Sequence, residues 1–144
     1  MIRLLALCIA AYLLAACATV PMASPDADAA GKAFAPPPPG KAALYVVRDG
    51  IVTGSPALGI SVGQRQLGDL TSFTWLRVEL APGRYQMRVR GMESVAGFNL
   101  ELAACETRYV LVEPRFGGGA QAIEIPADEG QRVARKGQRA LEIP

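Results

Sequence analysis

The region from residue 41 to residue 125 consists of short runs in which apolar and polar residues alternate. A period of two is typical of β-strands that bury one face, and glycine and proline separate the runs as turn residues do. The pattern predicts an all-β fold, a small antiparallel β-sandwich or open barrel of about seven short strands over residues 41–126. The main runs are residues 42–49, 58–62, 73–80, 84–90, 99–103, 107–114 and 121–125.

Local turn signals predict which runs are neighbours in a sheet. Residues 63–65 turn the second run back through Leu67 and Leu70. Pro82 and Gly83 match a type II turn, because proline presets the first central φ and glycine supplies the positive φ that follows. We therefore expect a hairpin at Pro82 and Gly83, and another around residues 105–106.

The run over residues 73–80 has two chemically different faces. Leu76, Val78 and Leu80 share one face, whereas Phe73, Trp75, Arg77 and Glu79 share the other. Phe73, Trp75 and Arg77 form a candidate interaction surface, since exposed aromatic residues and arginine are favoured at interfaces. The alternative is that they form the second buried face of a central strand.

A row of arginines lies on the polar side of the next run. Arg84, Arg88 and Arg90 alternate with the inward-facing Tyr85, Met87 and Val89. This row is either a solvated sheet face or a surface that contacts anionic envelope polymers or lipid headgroups.

The N-terminus has the three parts of a secretory signal: Arg3, an apolar run over residues 4–14, and small residues before a cleavage point. The run is too short to span a bilayer as a helix. Leu14, Ala15, Ala16 and Cys17 resemble the lipobox of bacterial lipoproteins. The resemblance implies removal of residues 1–16, acylation of Cys17 and anchoring in the lipid bilayer without a transmembrane helix. Ala18 after the cysteine resembles the signal for an outer-membrane destination, on the periplasmic face.

The segments on either side of the sandwich are expected to contribute little to the core. Residues 17–40 predict a flexible tether rich in alanine and proline, with an end-to-end distance of roughly 25–30 Å. Residues 127–144 form a basic C-terminal tail that is either disordered or a short helix. The functional alternative for this tail is binding to an anionic surface through its arginines.

Composition excludes several kinds of chemistry. The chain has no histidine and a formal net charge of +2, so it lacks the usual ligands of zinc, the usual catalytic base and the clustered charge of nucleic-acid binders. We expect no cofactor, no metal, no nucleic-acid partner and no catalytic residues. Glu101 and Glu106 could form the acid pair of a glycoside hydrolase, but solvated charges are favoured. Cys8 leaves with the signal and acylation consumes the Cys17 thiol, so Cys105 has no partner within its own chain. We expect a buried small side chain there, and the alternative is a disulfide between two chains.

Three segments carry a family resemblance: residues 43–48, residues 62–70 and residues 80–85. They are similar to an uncharacterised family of small bacterial lipoproteins that carry a domain of unknown function. The resemblance covers about residues 41–114 and implies a PEGA-like or transthyretin-like β-sandwich. Glu106 departs from the family pattern, which tends toward glycine at that position. The family brings no catalytic residues to transfer.

These observations predict a membrane-anchored periplasmic lipoprotein with a non-enzymatic binding or structural role in the bacterial cell envelope. Its expected partners are the bilayer, through Cys17, and an envelope protein or anionic polymer. The alternatives are an enzyme acting on envelope polymers and an accessory subunit of an envelope assembly.

Overall fold

The computed structural model describes residues 20–50 and 55–144. The predicted signal peptide and Cys17 lie outside these residues. The described elements, in chain order, are α1 (Pro25–Gly31), β1 (Ala42–Arg48), β2 (Leu58–Val62), β3 (Arg65–Leu70), β4 (Thr74–Leu80), β5 (Gly83–Arg90), β6 (Val95–Leu102), β7 (Thr107–Arg115), β8 (Gly119–Ile125), α2 (Ala127–Lys136) and β9 (Gln138–Arg139). No helix among these residues is long and apolar enough to cross a membrane.

The strands form two sheets that pack face to face. One sheet has the order β8-β7-β1-β4-β9 and the other has the order β3-β2-β5-β6. The main core lies between them and consists of the alternating apolar residues that the sequence pattern marked, such as Leu44, Leu76, Met87 and Val110. The predicted small β-sandwich is confirmed. Two pairings are parallel, β1 with β7 and β4 with β9, whereas the sequence predicted antiparallel neighbours only.

The predicted hairpins have mixed outcomes. The turn at Gly63 joins β2 to β3 as expected. The predictions at Pro82–Gly83 and at Cys105–Glu106 are wrong, because each segment carries the chain from one sheet to the other. Gly83 has a positive φ of 153°, far from the value near 80° of a type II turn. Turn residues specify a change in chain direction. They do not specify which sheet the next strand joins, because its apolar face can be buried from either sheet.

Strand β1 is buried along its whole length, on both faces. Its second face belongs to another core that contains Tyr45, Val47, Trp75 and Tyr109. Helices α1 and α2 and the segments beside them cover this core, so the protein has three layers. The five-stranded sheet is the middle layer, which explains why β1 is a continuous apolar run.

The predicted flexible tether over residues 17–40 is wrong from Val20 onward. Ser24 caps α1 by accepting a hydrogen bond from the Ala27 backbone N–H at 3.2 Å, and Pro25 occupies the first turn. The helix is held to the domain by hydrogen bonds to the segment after α2, such as the 2.7 Å bond from the Arg139 backbone N–H to Asp28 Oδ1. The small residues of this segment offer little apolar surface, so the sequence did not predict a folded structure. Their small size nevertheless allows α1 to approach the five-stranded sheet closely.

The C-terminal tail is also part of the fold. Of the two alternatives for residues 127–144, the short helix is observed as α2 and the disordered tail is wrong. Gly130, Val133 and Ala134 of α2 are buried against the five-stranded sheet. Asp128 and Glu129 lie in the first turn of α2, and basic residues lie in its last turn. This arrangement of charges stabilises the helix through its dipole.

Candidate functional site

The structure divides the three residues of the predicted interaction surface. Trp75 is only 1% exposed, because α1 and the segment after α2 cover it. Arg77 is largely buried and pairs with Glu79 at 2.6 Å, while Phe73 is partly exposed at a turn before β4. The predicted exposure of Trp75 is therefore wrong. The alternative of a second buried strand face is correct at Trp75 and largely at Arg77, but not at Phe73.

Trp75 belongs to an aromatic stack that is a structural layer. The Tyr45 ring stacks on Tyr109 at 4.9 Å and on Trp75 at 5.7 Å between centroids. The Tyr45 hydroxyl donates a 2.9 Å hydrogen bond to the Gly31 carbonyl, which joins the stack to α1. Burial raises the pKa of Tyr45 and of Tyr109, so both hydroxyls stay protonated at neutral pH.

The outer face of the four-stranded sheet, in contrast, is open to solvent. In β5 the exposed Arg84, Arg88 and Arg90 alternate with Met87 and Val89, which are fully buried. The sequence pattern found this alternation correctly, because side chains of successive strand residues point to opposite faces.

A shallow groove of about 570 Å³ runs across this open face. Strand β2 contributes small residues: Gly59 lies opposite Arg90, and Ser61 lies opposite Arg88. A Cβ at Gly59 would lie 3.0 Å from the Arg90 guanidinium, so the absence of a side chain lets Arg90 lie close over β2. Gln64, Gln66 and Val95 also line the groove. We call this surface the arginine groove.

The arginine groove carries positive charge that the described residues do not neutralise. Arg84 lies on the same sheet face but outside the groove, and it pairs with Glu101 at 3.6 Å. Arg88 contacts only the neutral amide of Gln86, at 3.2 Å, and no carboxylate in residues 20–50 or 55–144 lies within 4.0 Å of Arg88 or Arg90. Guanidinium groups present planar pairs of N–H donors that match carboxylate and phosphate oxygens. The groove can therefore bind anions.

The two glutamates considered as an acid pair have separate roles. Glu101 is the partner of Arg84 on the open face. Glu106 accepts a 2.8 Å hydrogen bond from the Ala103 backbone N–H and pairs with Arg108 at 2.7 Å. Both carboxylates are therefore held by local partners.

Cys105 differs from its expected environment. It is exposed, with a positive φ of 62°, in the segment that passes from β6 to β7, so the prediction of a buried small side chain is wrong. Its backbone N–H donates a 2.7 Å hydrogen bond to the Lys41 carbonyl. In the part of the chain that the structure describes, no three histidine, cysteine or acidic residues come together as a metal site.

Arg48 is buried at the end of β1, which was not predicted from the sequence. Its Nη1 donates to the carbonyls of Pro56 at 2.8 Å and Leu70 at 2.7 Å, and its Nη2 bonds to Ser55. Burial lowers the pKa of this guanidinium. Arg48 thus joins one end of β1 to the end of β3 in the opposite sheet. The burial of Arg48 could have been predicted from one feature of the sequence, a charged residue that directly follows the apolar residues of a strand.

No protein-family model matches the chain. The chain is 25% identical over 129 residues to an uncharacterized protein of Haemophilus influenzae, and the alignment covers 88% of this chain and 77% of that protein. Among solved structures, the N-terminal domain of AlgF from P. aeruginosa is similar over 62% of this chain and 98% of that chain. The TM-score is 0.40 and the identity is 22%.

Proposed function

We propose that this protein is a lipid-anchored binding module of the bacterial cell envelope. Acylated Cys17 holds it at the periplasmic face of the outer membrane, and the arginine groove binds an anionic envelope polymer without catalysing a reaction. The finer family assignment, a lipoprotein domain of the PEGA-like or transthyretin-like kind, is part of this proposal. The observation that carries it is the pair Arg88 and Arg90, which have no carboxylate partner among the described residues.

Anchoring is supported by the order of the N-terminal features: Arg3, the apolar run, and Leu14, Ala15 and Ala16 before Cys17. Two or more acyl chains hold a protein stably on a membrane, whereas one chain does not.

Anchoring is tested by growing cells with a labelled palmitate analogue. Cys17→Ser should abolish lipid labelling, whereas the matched variant Cys105→Ser should keep the label. Membrane retention that is unchanged in Cys17→Ser would refute the anchor. Fractionation that finds the labelled protein only in the inner membrane would refute the outer-membrane assignment, which depends on Ala18.

Binding is supported by the geometry of the arginine groove. Arg88 and Arg90 are two residues apart on one strand, about 7 Å along the chain, and point to the same side. Gly59 and Ser61 leave space beside them, so a chain-like ligand can approach both guanidinium groups. Hydrogen bonds to charged groups contribute about 1.5–3 kcal/mol each, so each arginine should change affinity by about tenfold or more.

The binding test compares three proteins on immobilised polymers: the unchanged chain, the double variant Arg88→Ala/Arg90→Ala, and the control Arg84→Ala. Polygalacturonate supplies carboxylates, polyphosphate supplies phosphates, and neutral dextran is the negative control. We expect the double variant to lose retention on one acidic polymer, Arg84→Ala to keep most of it, and retention to fall as salt rises.

Equal losses in the double variant and in Arg84→Ala would contradict a role for the groove, because general surface charge would then explain binding. Shortening of the polymer during incubation would favour the enzyme alternative. A cross-linker placed at Gln66 that captures one envelope protein in cells, with no polymer retained, would favour the accessory-subunit alternative.

A further inference from the structure

The described chain is fixed in the domain from its first residue. Val20 is buried in the core between the sheets. The Pro21 carbonyl accepts a 2.8 Å hydrogen bond from the Leu141 backbone N–H, and the Ala23 backbone N–H donates to the Arg139 carbonyl at 2.9 Å. Met22 forms an antiparallel bridge with Ala140 between these bonds. The N-terminal segment is thus paired with the extended chain that follows α2.

This pairing leaves little chain between the proposed anchor and the fold. Only Ala18 and Thr19 separate Cys17 from Val20. Three residue steps span at most about 10–11 Å even when fully extended, well short of the tether expected from sequence. The headgroup region of one leaflet is itself roughly 5–8 Å thick. An acyl group on Cys17 therefore brings Val20 close to the lipid surface whatever the conformation of the linking residues.

Several exposed apolar side chains lie near the N-terminal segment that begins at Val20. Met22, Phe73, Leu141 and Ile143 are each between 37% and 52% exposed, and we call them the anchor-side patch. Val20, Met22 and Phe73 line one shallow depression together with the polar residues Thr71, Ser72, Thr74, Lys136 and Gln138. The Leu141 backbone N–H donates to the Pro21 carbonyl. The Ile143 backbone N–H donates a 2.9 Å hydrogen bond to the carbonyl of Leu67 in β3. Aromatic and aliphatic side chains next to a lysine suit the boundary between headgroups and acyl chains.

We infer that the anchor-side patch lies in the membrane interface, so that the domain rests directly on the bilayer. The inference depends on the proposed acylation of Cys17. A lipid surface is the occupant because the short link leaves Val20, next to the patch, within about 10–11 Å of the anchor, where lipid is already present. Phe73, one of the three residues of the predicted interaction surface, becomes a lipid contact.

The protein contains a matched control for this patch. Phe116 is fully exposed in the turn between β7 and β8, at the other edge of the five-stranded sheet from β9. Four inter-strand spacings of about 4.8 Å separate β8 from β9, or roughly 19 Å. If exposure of an apolar side chain were sufficient for contact with lipid, Phe116 and Leu141 would both contact it. The inference predicts contact at Leu141 and none at Phe116.

The test measures the depth of single spin labels on the acylated full-length protein in vesicles of phosphatidylethanolamine and phosphatidylglycerol. Labels are attached at Leu141→Cys, at Ile143→Cys as a second site in the patch, or at Phe116→Cys, each in a Cys105→Ser background. The depth of each label is measured as its accessibility to two reagents, because dissolved oxygen concentrates in lipid and a nickel chelate stays in water. We expect the labels at positions 141 and 143 to be at least threefold less accessible to nickel than the label at position 116.

A second arm uses the same labels on the Cys8→Ser/Cys17→Ser protein without vesicles, so that each protein carries a single label. There all three labels should be similarly accessible to nickel, which separates shielding by lipid from burial in the protein. If the acylated protein floats with the vesicles but positions 141 and 143 are as accessible as position 116, the inference is overturned and anchoring stands. If the protein does not float, the anchoring proposal fails and the inference fails with it.

Discussion

Gly31 provides the sharpest test that the N-terminal segment is part of the fold. It ends α1 and is buried against Trp75, where a Cβ would lie 2.2 Å from Cη2 and 2.9 Å from Cζ3 of the indole ring. Ordinary contacts of this kind are 3.4–4 Å, so Gly31→Ala is at least about 1.2 Å too close to a ring that is itself 1% exposed. The ring is stacked on Tyr45 and cannot move away freely.

The cost of this change follows from packing. Adding a methyl group to a well-packed core costs about 1–3 kcal/mol of unfolding free energy. The alternative is that α1 moves away, which breaks the hydrogen bond from the Tyr45 hydroxyl to the Gly31 carbonyl, worth about 1 kcal/mol, and exposes Trp75. Either response lowers Tm by roughly 3–15 °C for a domain of this size.

The assay uses fluorescence, because Trp75 is the single tryptophan of the chain. We expect Gly31→Ala to lower Tm and to shift the emission of Trp75 to longer wavelength, as water reaches the ring. The matched control is Gly97→Ala on exposed β6, where the nearest atom to a new Cβ is Gln86 Nε2 at 3.7 Å, and which should melt within about 1 °C of the unchanged protein. If Gly31→Ala melts and fluoresces like the control, the docked N-terminal segment is refuted and a tether is correct.

Three further predictions concern the cover of the five-stranded sheet and the crossing between the sheets. Gly130→Ala, which would raise stability by about 1 kcal/mol in an isolated helix, should instead lower Tm, because its Cβ would lie 2.3 Å from the Tyr109 ring; chemical denaturation that finds a gain would show that α2 does not pack there. Since burial raises the pKa of Tyr45 and Tyr109 above 10.0, the folded state holds protons that the unfolded chain releases, so stability is complete below about pH 10 and falls as the pH rises further. Tyr109→Phe should make urea midpoints fall less steeply between pH 9 and pH 11, and a slope equal to that of the unchanged protein would contradict this cause. Gly83→Val places a β-branched residue at a φ of 153° and should cost about 1–3 kcal/mol, measured as a lower urea midpoint; an unchanged midpoint would show that this crossing does not need glycine.

The strand positions could be predicted from sequence because their signal is local. The alternation of Met87 and Val89 with Arg88 and Arg90 depends only on the geometry of an extended chain, in which successive side chains point to opposite sides. The same rule identified the arginines of the candidate groove as outward-facing. Their lack of carboxylate partners was not predictable, since it depends on which strands become neighbours of β5.

The partners of each strand and the cover of the middle sheet were decided by the tertiary structure. Pro82 and Gly83 permit a change of direction, but whether β5 pairs with β4 or crosses to the other sheet depends on where all the apolar faces can be buried together. Glycine at position 31 contributes no apolar surface of its own, so the sequence around it indicated a flexible linker. Only when Trp75 lies opposite does the missing Cβ become a close fit, because the free energy of burial belongs to two complementary surfaces and not to either segment alone.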